Sequence, residues 1–184
     1  MCASACASSR ACGRTRRAAL WQVAKVARKA GPLFADVPTD DPSPLSEMSP
    51  IEETRADYVA TEMTAGPHML AHLREGLRRR GVSSAAELLQ HEDGERVTAA
   101  GAVIVRQRPG TAKGFVFLTL EDETGMLQAI VRPDLFKAQR AVVVGSGALV
   151  VQGRLQRQDG SMSVRAERFW TVPEFERMPS HDFR

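Results

Sequence analysis

A pair of phenylalanines lies among basic residues in the middle of the chain. The stretch Arg106–Gly125, RQRPGTAKGFVFLTLEDETG, places Phe115 and Phe117 two positions apart, beside arginine and lysine. Aromatic rings stack on nucleic acid bases for roughly 1–3 kcal/mol each, while basic side chains follow the phosphates of a single strand. We therefore predict a surface for single-stranded nucleic acid. Its candidate residues are Arg106, Arg108, Lys113, Phe115, Phe117, Gln128, Arg132, Arg154 and Arg165.

The same phenylalanines have a second interpretation. Phenylalanine in a strand usually belongs to a hydrophobic core, and helices upstream can cover one face of a sheet. The sequence therefore leaves both a core role and a stacking role open for Phe115 and Phe117. Each basic residue taken alone is an ordinary surface charge, so only their convergence on one predicted face supports binding.

Acidic and histidine residues give little support for catalysis. The run Glu121–Glu123 suggests a magnesium site, because paired carboxylates bind Mg²⁺ in polymerases and nucleases. Neighbouring side chains of a strand point to opposite faces, however, and the following Thr124–Gly125 predicts a hairpin turn. His68 and His72 are four residues apart but lack a third metal ligand. We expect no catalytic residues, no metal and no cofactor in this chain.

Strands must position the candidate surface. Alternation of apolar and polar residues predicts five of them, at 96–108, 115–122, 126–131, 148–156 and 161–172. In the second and third strands the aliphatic side chains fall on one face, which we assign to the interior: Val116, Leu118, Leu120, Leu127, Ala129 and Val131. Phe115, Phe117 and Gln128 are left on the outer face, flanked by the basic residues.

The first strand is unusually long, and Gly101 lies near its middle, which indicates a bulge or sharp bend. A long bent strand that serves both halves of a closed sheet is typical of the five-stranded Greek-key barrel called the oligonucleotide-binding (OB) fold. A predicted helix at 133–140, between the third and fourth strands, agrees with that architecture. Other folds combine five strands and a helix, so the pattern alone does not exclude them.

Two loops of such a barrel join strands two and three in forming the binding platform. In this chain they are Pro109–Gly114, which carries Lys113, and Arg157–Gly160. We expect the basic residues of the last two strands near the far rim of the platform: Arg154, Arg157 and Arg165.

Helices precede the barrel. Apolar spacing and capping residues predict them at 18–30, 50–64, 70–80 and from Ser83 or Ser84 to Leu89, with an acidic, proline-rich linker between the first two. Ser49 is the expected cap of the second helix. In the third, Leu70, Leu73 and Leu77 are expected to point inward, and four arginines outward: Arg74, Arg78, Arg79 and Arg80.

Composition supports a globular chain of modest charge. The chain has 184 residues, 43% hydrophobic content and a net charge of +3, and no run approaches the roughly 18 apolar residues of a membrane helix.

We divide the chain into a disordered or artefactual extension (1–17), helical segments with the linker (18–94), the OB domain (95–172) and a tail (173–184). Cys2, Cys6 and Cys12 match no zinc or disulfide framework, and we expect a cytoplasmic location.

The central motif resembles a known family. RQRPGTAKGFVFLTLEDETG, followed by IVRP at 130–133 and Leu135–Phe136, closely resembles the C-terminal OB region of bacterial error-prone DNA polymerases of the C family. The segments RRAALW (16–21), GPLF (31–34) and TAGPHM (64–69) are also similar to that family. The resemblance extends over about residues 14–172.

The resemblance implies an OB domain that holds single-stranded DNA for low-fidelity synthesis past lesions. It also implies partners, namely the sliding clamp and the proteins of the same mutagenesis cassette, and no membrane. The catalytic aspartates of the family, with their Mg²⁺, lie in a palm domain that has no counterpart in these residues. The chain is therefore not expected to polymerise DNA alone.

The chain also departs from the family. It is much shorter, and Met1–Cys12 resembles nothing in that family, which a truncated gene, a frameshift remnant or a misplaced start codon would explain. Three functions follow as hypotheses. The first is a single-stranded DNA-binding module, the second is a protein-interaction module that docks partners of the mutagenesis complex, and the third is a nonfunctional fragment.

Overall fold

The alternating segment from position 96 to position 171 folds into five strands in the computed structural model, which describes residues 15–27, 43–61, 66–158 and 160–175. The strands are β1 (Arg96–Gln107), β2 (Val116–Asp122), β3 (Gly125–Val131), β4 (Ala148–Gln158) and β5 (Ser161–Thr171). They form a closed barrel in the order β1-β2-β3-β5-β4, in which β3 and β5 pair in parallel. The predicted five-stranded OB barrel with helices before it is confirmed.

The length of β1 is what closes the barrel. Its first half pairs with β4 over residues 96–102, and its second half pairs with β2 from Ala102 onward. Gly101 lies just before this change of partner, where an added Cβ would come within 2.6 Å of the Leu120 Cβ. The register shift itself falls between Val103 and Val105. Gly101 therefore permits close packing of β1 on β2, and the irregularity lies two residues beyond it.

The barrel interior is aliphatic. The six residues that alternation assigned to the inside of β2 and β3 are all buried, and Phe169 of β5 is the largest side chain that is fully buried with them. Leu88 and Ala85 from the short helix before β1 join the same core. Strand alternation thus fixed the faces correctly.

The helices are α1 (Arg16–Ala27), α2 (Pro50–Thr61), α3 (Met69–Arg79), α4 (Ala85–Leu88), α5 (Pro133–Ala138) and α6 (Arg140–Gly145), followed by a 3-10 turn at Pro173–Phe175. Ser49 caps α2 as predicted, because the Glu52 amide donates to the Ser49 hydroxyl at 3.3 Å. Ser84 caps α4 in a reciprocal box with Glu87. The predicted helix at 133–140 is instead two helices, since α6 continues the insert to Gly145.

The chain divides into two compact units, residues 1–56 and 57–184, so α3 and α4 belong to the same unit as the barrel. Within the described ranges, no helix is long and apolar enough to cross a membrane. The three cysteines, most of the proline-rich linker and the tail beyond position 175 lie outside the described residues.

Candidate nucleic-acid interface

The outer face of β2, β3 and β5 brings several predicted residues together. Pairing aligns Phe117 with Ile130, and Ile130 with Arg165, so these three form one row across the strands. The next row contains Thr119, Gln128 and Ser163. We call the residues of these two rows the platform: Phe117, Thr119, Gln128, Ile130, Ser163 and Arg165.

Phe117 lies on the solvent side of the strand. Its two strand neighbours, Val116 and Leu118, are buried in the barrel, whereas Phe117 itself is only half-buried. Ile130 beside it is half-buried as well. Ile130 is not among the candidate residues predicted from the sequence, and the pairing of β2 with β3 is what places it beside the Phe117 ring.

A second group gathers around the loop Pro109–Gly114. Lys113 and Gly114 have φ angles of 50° and 85°, so the loop ends in two left-handed residues before Phe115. The Phe115 amide donates to the Ala112 carbonyl at 2.9 Å, and the ring is half-buried. Lys113 is exposed. This loop therefore presents Lys113 to solvent next to the start of β2.

Helix α5 lies next to this loop. The Arg108 guanidinium carbon is 5.7 Å from the centroid of the Phe136 ring, a cation–π contact. Exposed Arg132, just before α5, forms an ion pair with Asp134 at 3.0 Å. Such exposed pairs contribute little to stability, about 0–1 kcal/mol, so Asp134 holds Arg132 only weakly.

Arg106 has a different position. It pairs in register with buried Leu118, so its side chain leaves β1 on the opposite side from Phe117. Its Nε donates to the Val143 carbonyl at 2.9 Å, and its Nη2 donates to the Ser146 carbonyl. Arg106 therefore binds the C-terminal end of α6, where the helix dipole favours a cation.

The basic residues of β4 and β5 also differ among themselves. Arg154 donates to the Gly94 carbonyl at 3.1 Å and lies 3.6 Å from a Glu167 carboxylate oxygen. Arg157 donates to the Leu89 carbonyl and, at 2.9 Å, to the His91 carbonyl, which ties the β4–β5 hairpin to the end of α4. Arg165 is exposed, and it has no ion-pair partner within the described residues.

The other end of β2 is a buried polar network. Asp122 is 3% exposed and accepts hydrogen bonds from the Ala85 amide at 2.7 Å and the Thr124 amide at 2.7 Å. Arg74 of α3 donates to Asp122 at 3.0 Å and also binds Glu123. The prediction that Arg74 points outward is wrong. This arginine is only 7% exposed, because it forms ion pairs with two carboxylates of the β2–β3 hairpin.

Ionisation at this network follows from burial and charge. Burial by itself lowers the pKa of Arg74, but the hydrogen bond to Glu123 and the charges of both carboxylates outweigh it, so the pKa is raised. His68, whose Nδ1 accepts from the Leu70 amide at 3.2 Å, has a lowered pKa because burial disfavours its charged form. Among the described residues, no group of three or more His, Cys, Asp or Glu is arranged to hold a metal.

The chain is similar in sequence to several known proteins. Residues 97–172 match the family described as an OB-fold nucleic acid binding domain. An error-prone DNA polymerase of Caulobacter vibrioides is 45% identical over 85% of this chain and 15% of its own length. One from Nocardia farcinica is 40% identical over 92% of this chain and 15% of its own length. Among solved structures, an asparaginyl-tRNA synthetase from Pyrococcus horikoshii is 25% identical over 50% of this chain and 23% of its own, with a TM-score of 0.38.

The matches to error-prone DNA polymerases confirm the resemblance drawn from the central motif. The chain spans about 15% of the length of the curated relatives it matches. This chain is thus similar to a segment of bacterial error-prone DNA polymerases, and its residues 97–172 form an OB-fold nucleic acid binding domain.

Proposed function

We propose that this chain is a single-stranded DNA-binding module that serves an error-prone DNA polymerase. The platform carries the proposal, because it sets a half-buried aromatic ring, an aliphatic neighbour and an arginine in one row across three strands. Stacking on Phe117 and phosphate contact by Arg165 are the two interactions that a single strand needs. The names of the relatives support DNA as the nucleic acid.

The proposal extends to the wider polymerase. The module would hold the template strand while synthesis past a lesion takes place in a separate catalytic domain, in the cytoplasm and in the company of the sliding clamp and the cassette proteins. Loop residues Lys113 and Arg108, with Arg132, would follow the backbone beside the platform. Mixed with Mg²⁺, nucleotides and a primed template, the chain itself should incorporate nothing. Any incorporation would contradict this assignment.

A protein-docking function is the competing proposal, and one observation favours it. Met126, at the start of β3, is 65% exposed on the same side of the strand as Gln128. A flexible, exposed methionine is common at surfaces that bind proteins. Salt dependence separates the two functions, since single-strand affinity falls with a log–log slope of about −0.7 per phosphate contact.

The direct test measures fluorescence anisotropy of a labelled 20-nucleotide dT strand, titrated with the full chain at several salt concentrations. Phe117→Leu removes the aromatic face but keeps apolar bulk, and should weaken binding by about 1–3 kcal/mol. Leu89→Ala, which changes an exposed apolar residue at the end of α4 away from the platform, is the control and should leave binding unchanged. Thermal unfolding of both variants is measured in parallel.

Three results would contradict the proposal. Absence of binding at high micromolar concentration and low salt would exclude the DNA function. If Phe117→Leu and the unchanged chain bind the dT strand with equal affinity, stacking at Phe117 is excluded. If that variant loses much of its thermal stability, Phe117 packs in the hydrophobic core instead of binding bases.

A further inference from the structure

A second basic surface lies on the outer side of β1, β4 and β5, beyond the platform. These three strands contain a single acidic residue, Glu167, against six arginines. Two of the six, Arg106 and Arg157, bind backbone carbonyls at or just after the ends of α6 and α4, as described above. The other four lie exposed on the strands: Arg96, Arg154, Arg165 and Arg168.

Strand register aligns three of these four arginines. Arg154 pairs with Arg96 on one side and with Arg165 on the other, so these three exposed residues lie in one row across the strands. Glu167 Oε2 is 3.2 Å from Arg96 Nη2, and Glu167 Oε1 is 3.6 Å from Arg154 Nε, so one carboxylate is shared by two guanidinium groups. The register shift between Gln152 and Gly153 turns both Glu167 and Arg168 outward. The surface thus keeps an excess of positive charge.

An indole stands beside this charge. The Arg168 guanidinium carbon lies 5.1 Å from the centroid of the Trp170 ring, and the tryptophan is 37% exposed. Its partner across the strands is Val150, which is itself half-buried. An exposed indole and a guanidinium are the two flat groups on which unpaired bases stack.

We propose that the outer face of β1, β4 and β5 is a second contact surface for single-stranded nucleic acid. We call it the β4–β5 face: Arg96, Arg154, Arg165, Arg168 and Trp170. A base stacks at Trp170, and the arginine row contacts the phosphates. Arg165 is aligned both with Ile130 of the platform and with Arg154. A single nucleic acid strand can therefore pass from the platform to the β4–β5 face. This site needs no contribution from Phe117, and it deepens the function proposed above, on which it rests.

Tryptophan fluorescence tests the site directly. The chain contains Trp21 and Trp170, so Trp21→Phe leaves Trp170 as its one indole emitter. Addition of the dT strand should quench this emission and saturate at the Kd found by anisotropy. Trp170→Ala, with the fold verified by circular dichroism, should weaken binding by about fivefold or more, since one base stack contributes at least about 1 kcal/mol.

A charge variant tests the arginines. Arg154→Gln with Arg168→Gln should reduce the magnitude of the salt slope by about 1.4, because each phosphate contact contributes about 0.7. Arg79→Gln with Arg80→Gln removes the same charge from exposed positions at the end of α3 and should leave the slope unchanged. Equal losses in the two double variants would show a general charge effect and overturn the site.

Other outcomes are also decisive. Binding by anisotropy with unchanged Trp170 emission would overturn the β4–β5 face and leave the platform proposal intact. If the dT strand still quenches Trp170 emission in Phe117→Leu and binds with unchanged affinity, the β4–β5 face is supported and the platform proposal is contradicted. Equal quenching by poly-L-glutamate would assign the face to acidic protein segments instead of nucleic acid, and absence of any binding would remove both proposals.

Discussion

The two ends of β2 differ sharply, although one alternating pattern runs through the strand. At the end that follows the Pro109–Gly114 loop, Phe117 faces solvent beside Ile130, and nearby Lys113 is exposed. At the hairpin end, Asp122 and Glu123 bind Arg74, and Asp122 is almost completely buried. One end is open to a ligand, and the other is occupied by the protein's own groups.

The arginines repeat this difference. Arg74, Arg106 and Arg157 each bind two or more groups of another element, with partners such as the Asp122 carboxylate, the Val143 carbonyl and the His91 carbonyl. Arg165 and Arg168 remain on the outer surface of β5. A count of positive charge therefore overstates a binding surface, because part of that charge stabilises the fold.

The largest expected effect is at the hairpin end. Arg74→Gln should lower the free energy of unfolding by about 3–5 kcal/mol, because it leaves the buried Asp122 without its ionic partner. Denaturant unfolding measures this loss, and exposed Arg79→Gln should change stability by less than about 0.5 kcal/mol. Single-strand affinity per folded molecule should not change. A small loss of stability in Arg74→Gln would mean that the amides around Asp122 suffice to hold it.

A smaller effect separates two arginines of similar appearance in the sequence. Arg106→Gln should cost about 1.5–3 kcal/mol of stability, the range for hydrogen bonds made by a charged group. Arg165→Gln should leave stability within about 0.5 kcal/mol, and should instead reduce the magnitude of the salt slope by about 0.7. Unfolding and anisotropy on both variants measure the contrast. If Arg106→Gln altered the salt slope while Arg165→Gln did not, the two roles would be exchanged.

The smallest expected effect is a pH dependence at the cap of α3. The pKa of His68 is lowered below its ordinary value of 6.5, so the folded chain binds fewer protons there than the unfolded chain. Its contribution to stability is present above pH 6.5 and is lost as the pH falls below that value. His68→Asn keeps a capping acceptor but cannot titrate. Between pH 7.5 and about 5, the free energy of unfolding should fall less for this variant than for the unchanged chain. Parallel curves of this free energy against pH would contradict the assignment of the pH dependence to His68.

The sequence predicted much of the barrel because its signals are local. Alternation identified the five strands and the inward faces of β2 and β3, whereas the irregularity predicted at Gly101 lies two residues beyond it. The motif Arg106–Gly125 identified the resemblance that the relatives confirm. The outward position of Phe117 followed from alternation too, since its neighbours on both sides are buried aliphatics.

Other features depended on groups far apart in the chain. Arg74 has an ordinary place on a helix, and only Asp122 and Glu123, almost fifty residues later, explain its burial. Arg154 and Arg165 of the β4–β5 face were among the predicted contacts, but Arg168 and Trp170 were not. Alternation continued from buried Val164 and Ala166 would turn both inward, and the register shift after Gln152 turns them outward instead.

The sequence by itself determined the strands, their inward faces and the family resemblance, because hydrophobic periodicity and turn residues act over a few positions. Only the tertiary structure decided which charges are available to a ligand. A guanidinium on a long side chain takes the nearest carboxylate or carbonyl that folding brings within reach. For Arg106 that partner is Ser146, forty residues away, and for Arg165 none lies within the described residues.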